Sequence, residues 1–293
     1  MRFTEIGQQL RAYRLESGLR AEEIAARLGV SRAALYRYEK GEVIKLDTIK
    51  RLAELLKISP LSLLGIGVEY YHRPIGCFER IRQIEETTDQ ILQVDGPVSY
   101  LVTSESYDAA LAAALEDLAE QAGTDRAQMR ASADQTLGIL AARKRMYGVR
   151  KPTIICMISA GRLARFLESG VAGTATLSER TRRLCRQVAA AEALNIAGLM
   201  EAEPMGLQFG LLATTEPTGN FKILRARDRA TLVVNPFRPD TMPGAPTGVV
   251  MVTAADEAIA AHQRVAEGLW KEAMKGATAA ARLREIVAAH RVA

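Results

Sequence analysis

Residues 19–42 read LRAEEIAARLGVSRAALYRYEKGE, and the fourteen residues from Gly29 to Glu42 decide how the first part of the chain folds. Gly29 suits the left-handed backbone that ends a helix. Val30 plugs the apolar gap behind it, and Ser31 is a residue that caps a helix N-terminus. In the helix that follows, Leu35 and Tyr38 point inward beside Ile24 and Ala25. The same periodicity puts Arg32, Ala33, Tyr36 and Arg37 together on the outer face. Two helices joined by a tight turn, the second with a narrow free face, make a unit that enters the major groove of DNA. Arginine in such a position is suited to paired bonds with guanine, and Ala33 to contact with a thymine methyl. The competing reading is a short amphipathic helix whose basic face is merely solvated.

The flanks extend the helical reading over residues 1–66, as five short helices. Ile6, Leu10 and Tyr13 recur at helical spacing up to Ser17-Gly18. LDTIKRLAELLKI offers Leu46, Ile49, Leu52, Leu55 and Leu56 as an apolar stripe, and Pro60 opens a last turn where its missing N–H costs nothing. Charge is unevenly placed. Residues 1–66 hold 12 Lys and Arg against 8 Asp and Glu, whereas the remaining 227 residues hold 27 against 26. A basic first unit on a neutral second suits a polyanionic partner for the first alone. A chance imbalance is the bland alternative.

Over residues 6–64 the chain resembles the Cro/repressor (XRE) type of helix-turn-helix domain. The stretch at 19–42, followed by LDTIKRLAELLKISPLSLL, matches that pattern with no insertion. The resemblance implies double-stranded DNA as partner, with Ser31, Arg32, Ala33, Tyr36 and Arg37 at the interface. It also implies a structural ion pair between Arg14 and Glu39, and a backbone-contact loop at Lys45. Where the family carries a polar phosphate contact, this chain has Ala21, so Arg20, one residue earlier, takes that role. One such module touches few base pairs, and a homodimer on a symmetric site is the expected working form.

Residues 67–96 read as a connector. EYYHRPIG breaks structure, and CFERIRQIEETTDQILQV predicts an amphipathic helix with Ile81, Ile84, Thr88 and Ile91 on one face. That face either seals a dimer or packs on its own domain. From residue 97 to 293, strand patterns alternate with helices of 10–20 residues, predicting an α/β domain with a mixed sheet. VSYLVT (98–103) is its first predicted strand. The segments LGILAARKRMY, KPTIICMISAGRLARFL and FKILRARDRATLVVNPF, within 137–237, resemble an uncharacterised domain found behind such modules in actinobacterial regulators. That domain is thought to be phospholipase-D-like. The His-x-Lys signature of those enzymes is missing at His72, His262 and His290, so the resemblance implies a catalytically dead sensor or dimeriser.

Catalytic constellations are not legible. The three histidines are far apart, without metal-ligand spacing, and neither a metal nor another cofactor is expected. Ser159-Ala160-Gly161 is a strand-to-helix turn that either holds an anion or simply turns. Ser104 reads as a cap before a nucleophile. Cys77, Cys156 and Cys185 read as buried thiols in a reducing compartment. MRFTEIGQQL lacks a signal-peptide pattern and no apolar run spans a membrane, which places the expected protein in the cytoplasm. These readings favour a non-enzymatic transcription regulator whose second domain senses a small effector or a partner. The alternatives are an antitoxin-like or phage-type repressor that binds a protein, and an enzyme directed to DNA.

Overall fold

The computed structural model of the chain describes residues 3–94, 96–241 and 248–290. Asp95, in the expected connector, and Arg291, in the expected α/β domain, lie outside the described residues.

The first unit is built from α1 (Phe3–Ser17), α2 (Ala21–Leu28), α3 (Arg32–Glu39), α4 (Leu46–Leu56) and α5 (Pro60–Leu63). Leu10, Ile24, Leu35, Leu52 and Leu63 are fully buried between them. The turn after α2 follows from its glycine. Gly29 sits at φ 72°, a left-handed conformation open to it for want of a Cβ, and lets the Val30 N–H reach back to the Ala25 carbonyl at 3.0 Å. Leu46, expected in the stripe of α4, is exposed instead because it occupies the first helical position, before that stripe begins to pack.

The rest of the chain is a seven-stranded sheet with helices on both faces. Its strands are β1 (Val68–Tyr71), β2 (Gln90–Val94), β3 (Thr153–Ser159), β4 (Leu207–Leu212), β5 (Phe221–Arg225), β6 (Ala230–Val234) and β7 (Val250–Thr253), in the order β1-β7-β6-β5-β2-β3-β4. β2, β3 and β4 run parallel, joined by α7 (Glu105–Gln121) and α8 (Arg126–Arg150), then by α9 (Ala160–Ser169) and α10 (Glu179–Ala202). The remaining pairings are antiparallel, so the sheet is mixed, as its alternating pattern predicts. α11 (Asp256–Glu272) lies on one face over Leu92, Met157, Phe221 and Leu232. The closing helix, α12 (Gly276–Ala289), packs with α9 and α10 on the other.

Residues 67–96 differ from the connector reading. They supply the edge strand β1, the buried helix α6 (Pro74–Glu85) and the inner strand β2. The long amphipathic helix expected over 77–94 stops at Glu85. The Thr88 hydroxyl donates to the Ile84 carbonyl at 2.8 Å, and the Asp89 N–H donates to the Arg225 carbonyl at 2.8 Å, starting the sheet ladder. Its apolar face is covered by the chain's own α1 and α8. The strand expected at 98–103 is a 3-10 turn, Tyr100–Val102. Tyr100 there packs edge-on against Tyr107 at 5.9 Å, and its hydroxyl donates to Asp108 at 3.1 Å. Tertiary packing overrides β propensity at such a site.

α1 belongs to both units. Leu10 faces the helical core, Tyr13 stacks on Tyr71 of β1 with ring centres 5.3 Å apart, and the opposite side meets α6. Arg11 pairs with Glu79 at 2.9 Å, and Gln83 donates to the Gln8 carbonyl at 2.9 Å. The Glu16 carboxylate accepts the backbone N–H groups of His72 and Arg73 at 2.5 and 3.1 Å. Gly76 permits this approach. A Cβ there would lie 2.9 Å from the Glu16 Cβ and 3.1 Å from its Cα. One buried apolar cluster consequently runs from Leu10 and Leu35 through Phe78 and Ile81 to Ile154. On its far side α6 is clamped by Arg143 of α8, which bonds Glu85 through two contacts of 2.8 Å.

Candidate nucleic-acid interface

The outer face of α3 carries the residues expected there. Arg32, Ala33 and Arg37 are exposed and Tyr36 is half-buried. Ser31 starts the helix, its hydroxyl accepting the Ala34 N–H at 3.1 Å. Leu35 is buried on the inner face, while Tyr38, expected beside it, is only partly covered. Glu39 ends the helix facing inward, 4% exposed, and takes two bonds from Arg14, at 2.5 and 3.1 Å. Burial opposes the Arg14 charge, but bonding to Glu39 and the field of its carboxylate prevail, and the guanidinium pKa is raised.

Tyr36 sits between two guanidinium groups. Arg32 lies 5.3 Å from its ring centre and Arg14 lies 5.9 Å away. Arg32 Nη2 also donates to the Tyr36 hydroxyl at 3.2 Å, and Nη1 pairs with Glu22 of α2 at 2.8 Å. Arg37 pairs with Glu42 at 3.1 Å. Both outward arginines are therefore held in place by carboxylates before any partner arrives. Neither Glu22 nor Glu42 is singled out by sequence. The signal available was a glutamate in the first turn of α2 and another just past Gly41, each beside a helix end.

Arg20 is the N-cap residue of α2, with its side chain 80% exposed and 3.6 Å from Glu23. Its backbone N–H donates to the Glu23 carboxylate at 2.8 Å. That bond, ahead of the Arg20 charge, holds Glu23 below its ordinary range. Lys45 is the exposed N-cap residue of α4. A cleft of about 780 Å³ opens between the start of α2, Tyr36 and Arg14 on one side and Gln128, Ser132 and Gln135 of α8 on the other. Sequence gives no hint that α8 reaches this face.

Other polar residues are engaged within the fold. The N-terminus of α9, open in the sequence reading to an outside anion, is occupied by Glu216. That carboxylate accepts from Ser159 at 2.6 Å, Arg162 at 3.1 Å and Arg165 at 2.8 Å. Ser104 bonds the buried Glu192. His262 and His290 approach carbonyls of their own helices, each at 2.8 Å. Cys77, Cys156 and Cys185 are buried, and burial pushes the Cys77 thiol up to about 12 and the Cys185 thiol to about 11. Among the described residues there is no cluster of three His, Cys, Asp or Glu suited to a metal, and no helix long and apolar enough to cross a membrane.

Residues 5–63 match the helix-turn-helix domain family. No curated protein matches the chain. Among solved structures it is similar to TrmBL2, described as an archaeal chromatin protein with a novel mode of DNA binding. The identity is 10% and the TM-score 0.34, over 78% of this chain and 62% of that one. The chain thus spans a little under two thirds of that protein's length.

Proposed function

We propose that this chain is a sequence-specific, DNA-binding transcription regulator that works as a homodimer. In this reading α3 enters the major groove. Arg32 and Arg37 meet base edges or phosphates, Tyr36 and Ala33 pack against bases, and Arg20, Ser31 and Lys45 contact the flanking backbone. The observation that carries it is the outward projection of Arg32, Ala33, Tyr36 and Arg37 from a helix held by the Ser31 cap and the Arg14–Glu39 pair. The uninterrupted five-helix order, with α3 as the reading helix, supports the XRE type. The α/β unit is read as a non-catalytic sensor of a small effector or a partner, resembling a phospholipase-D-like domain without its active site. Because α1 packs against both units, a change around α6 would reorient α3 directly. That supplies the differential contact an allosteric regulator requires.

The test is selection of binding sites from random duplexes, repeated with Arg32→Ala and Arg37→Ala. Loss of a paired base contact should reduce discrimination at the base it reads by about 5- to 150-fold. Wild-type affinity should fall steeply with salt as counterions are released. An unchanged consensus in both variants would sink the assignment of α3 as the reading helix.

A further inference from the structure

A second cleft, of about 650 Å³, lies on another side of the helix-turn-helix, between its helices and the edge strand β1. Leu19, Leu55 and Ile58 line it from the helical unit, and the half-exposed ring of Tyr70 lines it from the sheet. That volume, an apolar lining and a position between two units are the usual attributes of a small-molecule site.

Its polar groups select a charge. Arg27 and Lys57 line the cleft and are exposed, and neither forms an ion pair among the described residues. Glu23, one turn earlier on α2, feels the Arg27 charge without bridging to it. This contrasts with Arg14, Arg20, Arg32 and Arg37, each of which has a carboxylate partner. The one acid in the wall, Glu16, is already committed to two backbone N–H groups and to the His72 ring. The buried hydroxyl of Tyr13 also belongs to this wall and finds no hydrogen-bond partner among the described residues. Lys57 is separated from Lys45, the backbone-contact residue, by the whole length of α4, about 18 Å at 1.5 Å per residue. Lys57 is therefore not part of the face assigned to DNA.

We propose that this cleft binds a small amphipathic carboxylate. Its apolar body lies against Leu19, Leu55, Ile58 and Tyr70, and its carboxylate is directed to Arg27 and Lys57. Such a ligand touches α2 and α4 on one side and β1 on the other, bracing the helix-turn-helix against the sheet. Its role as an effector rests on the regulator reading, but its binding does not.

The experiment uses the full chain without DNA. Octanoate and octylammonium, matched in apolar body and opposite in charge, are titrated calorimetrically into wild type and into Arg27→Gln/Lys57→Asn. Asparagine tolerates the positive φ at position 57, so the variant should keep the wild-type Tm. Octanoate should bind saturably and at least ten times tighter than octylammonium, and the double variant should weaken octanoate by about tenfold. The absence of saturable binding, equal binding of the two amphiphiles, or undiminished binding by the variant would each overturn the proposal. Saturable, charge-selective binding by a chain that ignores DNA would uphold the site and discard the regulator reading.

Discussion

The Arg14–Glu39 pair lends itself to a quantitative test, because it fastens α3 to α1 in a nearly closed environment. The side chains are 13% and 4% exposed and joined by two bonds, at 2.5 and 3.1 Å. Two unit charges about 3 Å apart, at an effective dielectric near 20, attract by about 5–6 kcal/mol before desolvation is subtracted. Desolvation offsets most of this in a buried pair. The net worth of the pair is then small, yet losing one partner strands the other. Glu39→Leu and Arg14→Met should therefore each cost about 3–5 kcal/mol, whereas the double substitution should cost far less than their sum. At a few degrees per kcal/mol for a chain of this size, each single variant should melt on the order of 10 °C lower. Urea denaturation followed by circular dichroism closes the cycle. Single variants costing less than about 1 kcal/mol, with an additive double, would refute a coupled buried pair.

Ser31→Ala should cost about 1 kcal/mol through loss of the cap on α3, and Ser31→Asp should restore it; equal melting of all three proteins would count against capping. Gly76→Ala should destabilise by about 1–3 kcal/mol, since its Cβ would press on the backbone of α1 at Glu16, and hydrogen exchange should rise first along α1 and α6. Protection unchanged there would contradict a tight α1–α6 contact. Burial raises the Glu16 carboxyl, against the opposing His72 N–H. The folded chain thus keeps that proton to higher pH than the unfolded one, and the stability it contributes is complete below the unfolded value, near 4.3, and lost as pH rises through the raised value. Glu16→Gln should accordingly gain stability relative to wild type as pH rises from about 4 to 7, in Tm measured across that range. A difference independent of pH would exclude the burial penalty.

The helix-turn-helix was legible because its determinants are local. Gly29, Ser31, Leu35 and the spacing between Arg32 and Arg37 lie within nine residues, and each has a short-range consequence. The α/β class was legible from alternation alone. The role of residues 67–96 was not. Val68–Tyr71 becomes a strand only because Val250–Thr253, some 180 residues later, supplies its partner. Ile91 carries an apolar side chain at a spacing that serves a helix and a strand equally well. The placement of α1 against α6 depends on Glu16 meeting two N–H groups 56 and 57 residues away. In the interface, outward charge was readable from periodicity, but the restraint of Arg32 by Glu22 required the packing of α2 on α3.

The shared first helix limits how far this chain can be treated as a kit of parts. A fragment cut at residue 66 would keep its Leu10 and Leu35 core but leave Gln9 without its acceptor in β1, Glu69, and Glu16 without the His72 and Arg73 N–H groups between β1 and α6. Transplanting the helix-turn-helix unit onto another protein would carry α1 along with only half its neighbours. Alteration of the outer face of α3 is better sought by substitution there than by exchange of the whole unit. For the same reason, insertions between α5 and β1 should be tolerated far less well than between independently tethered domains.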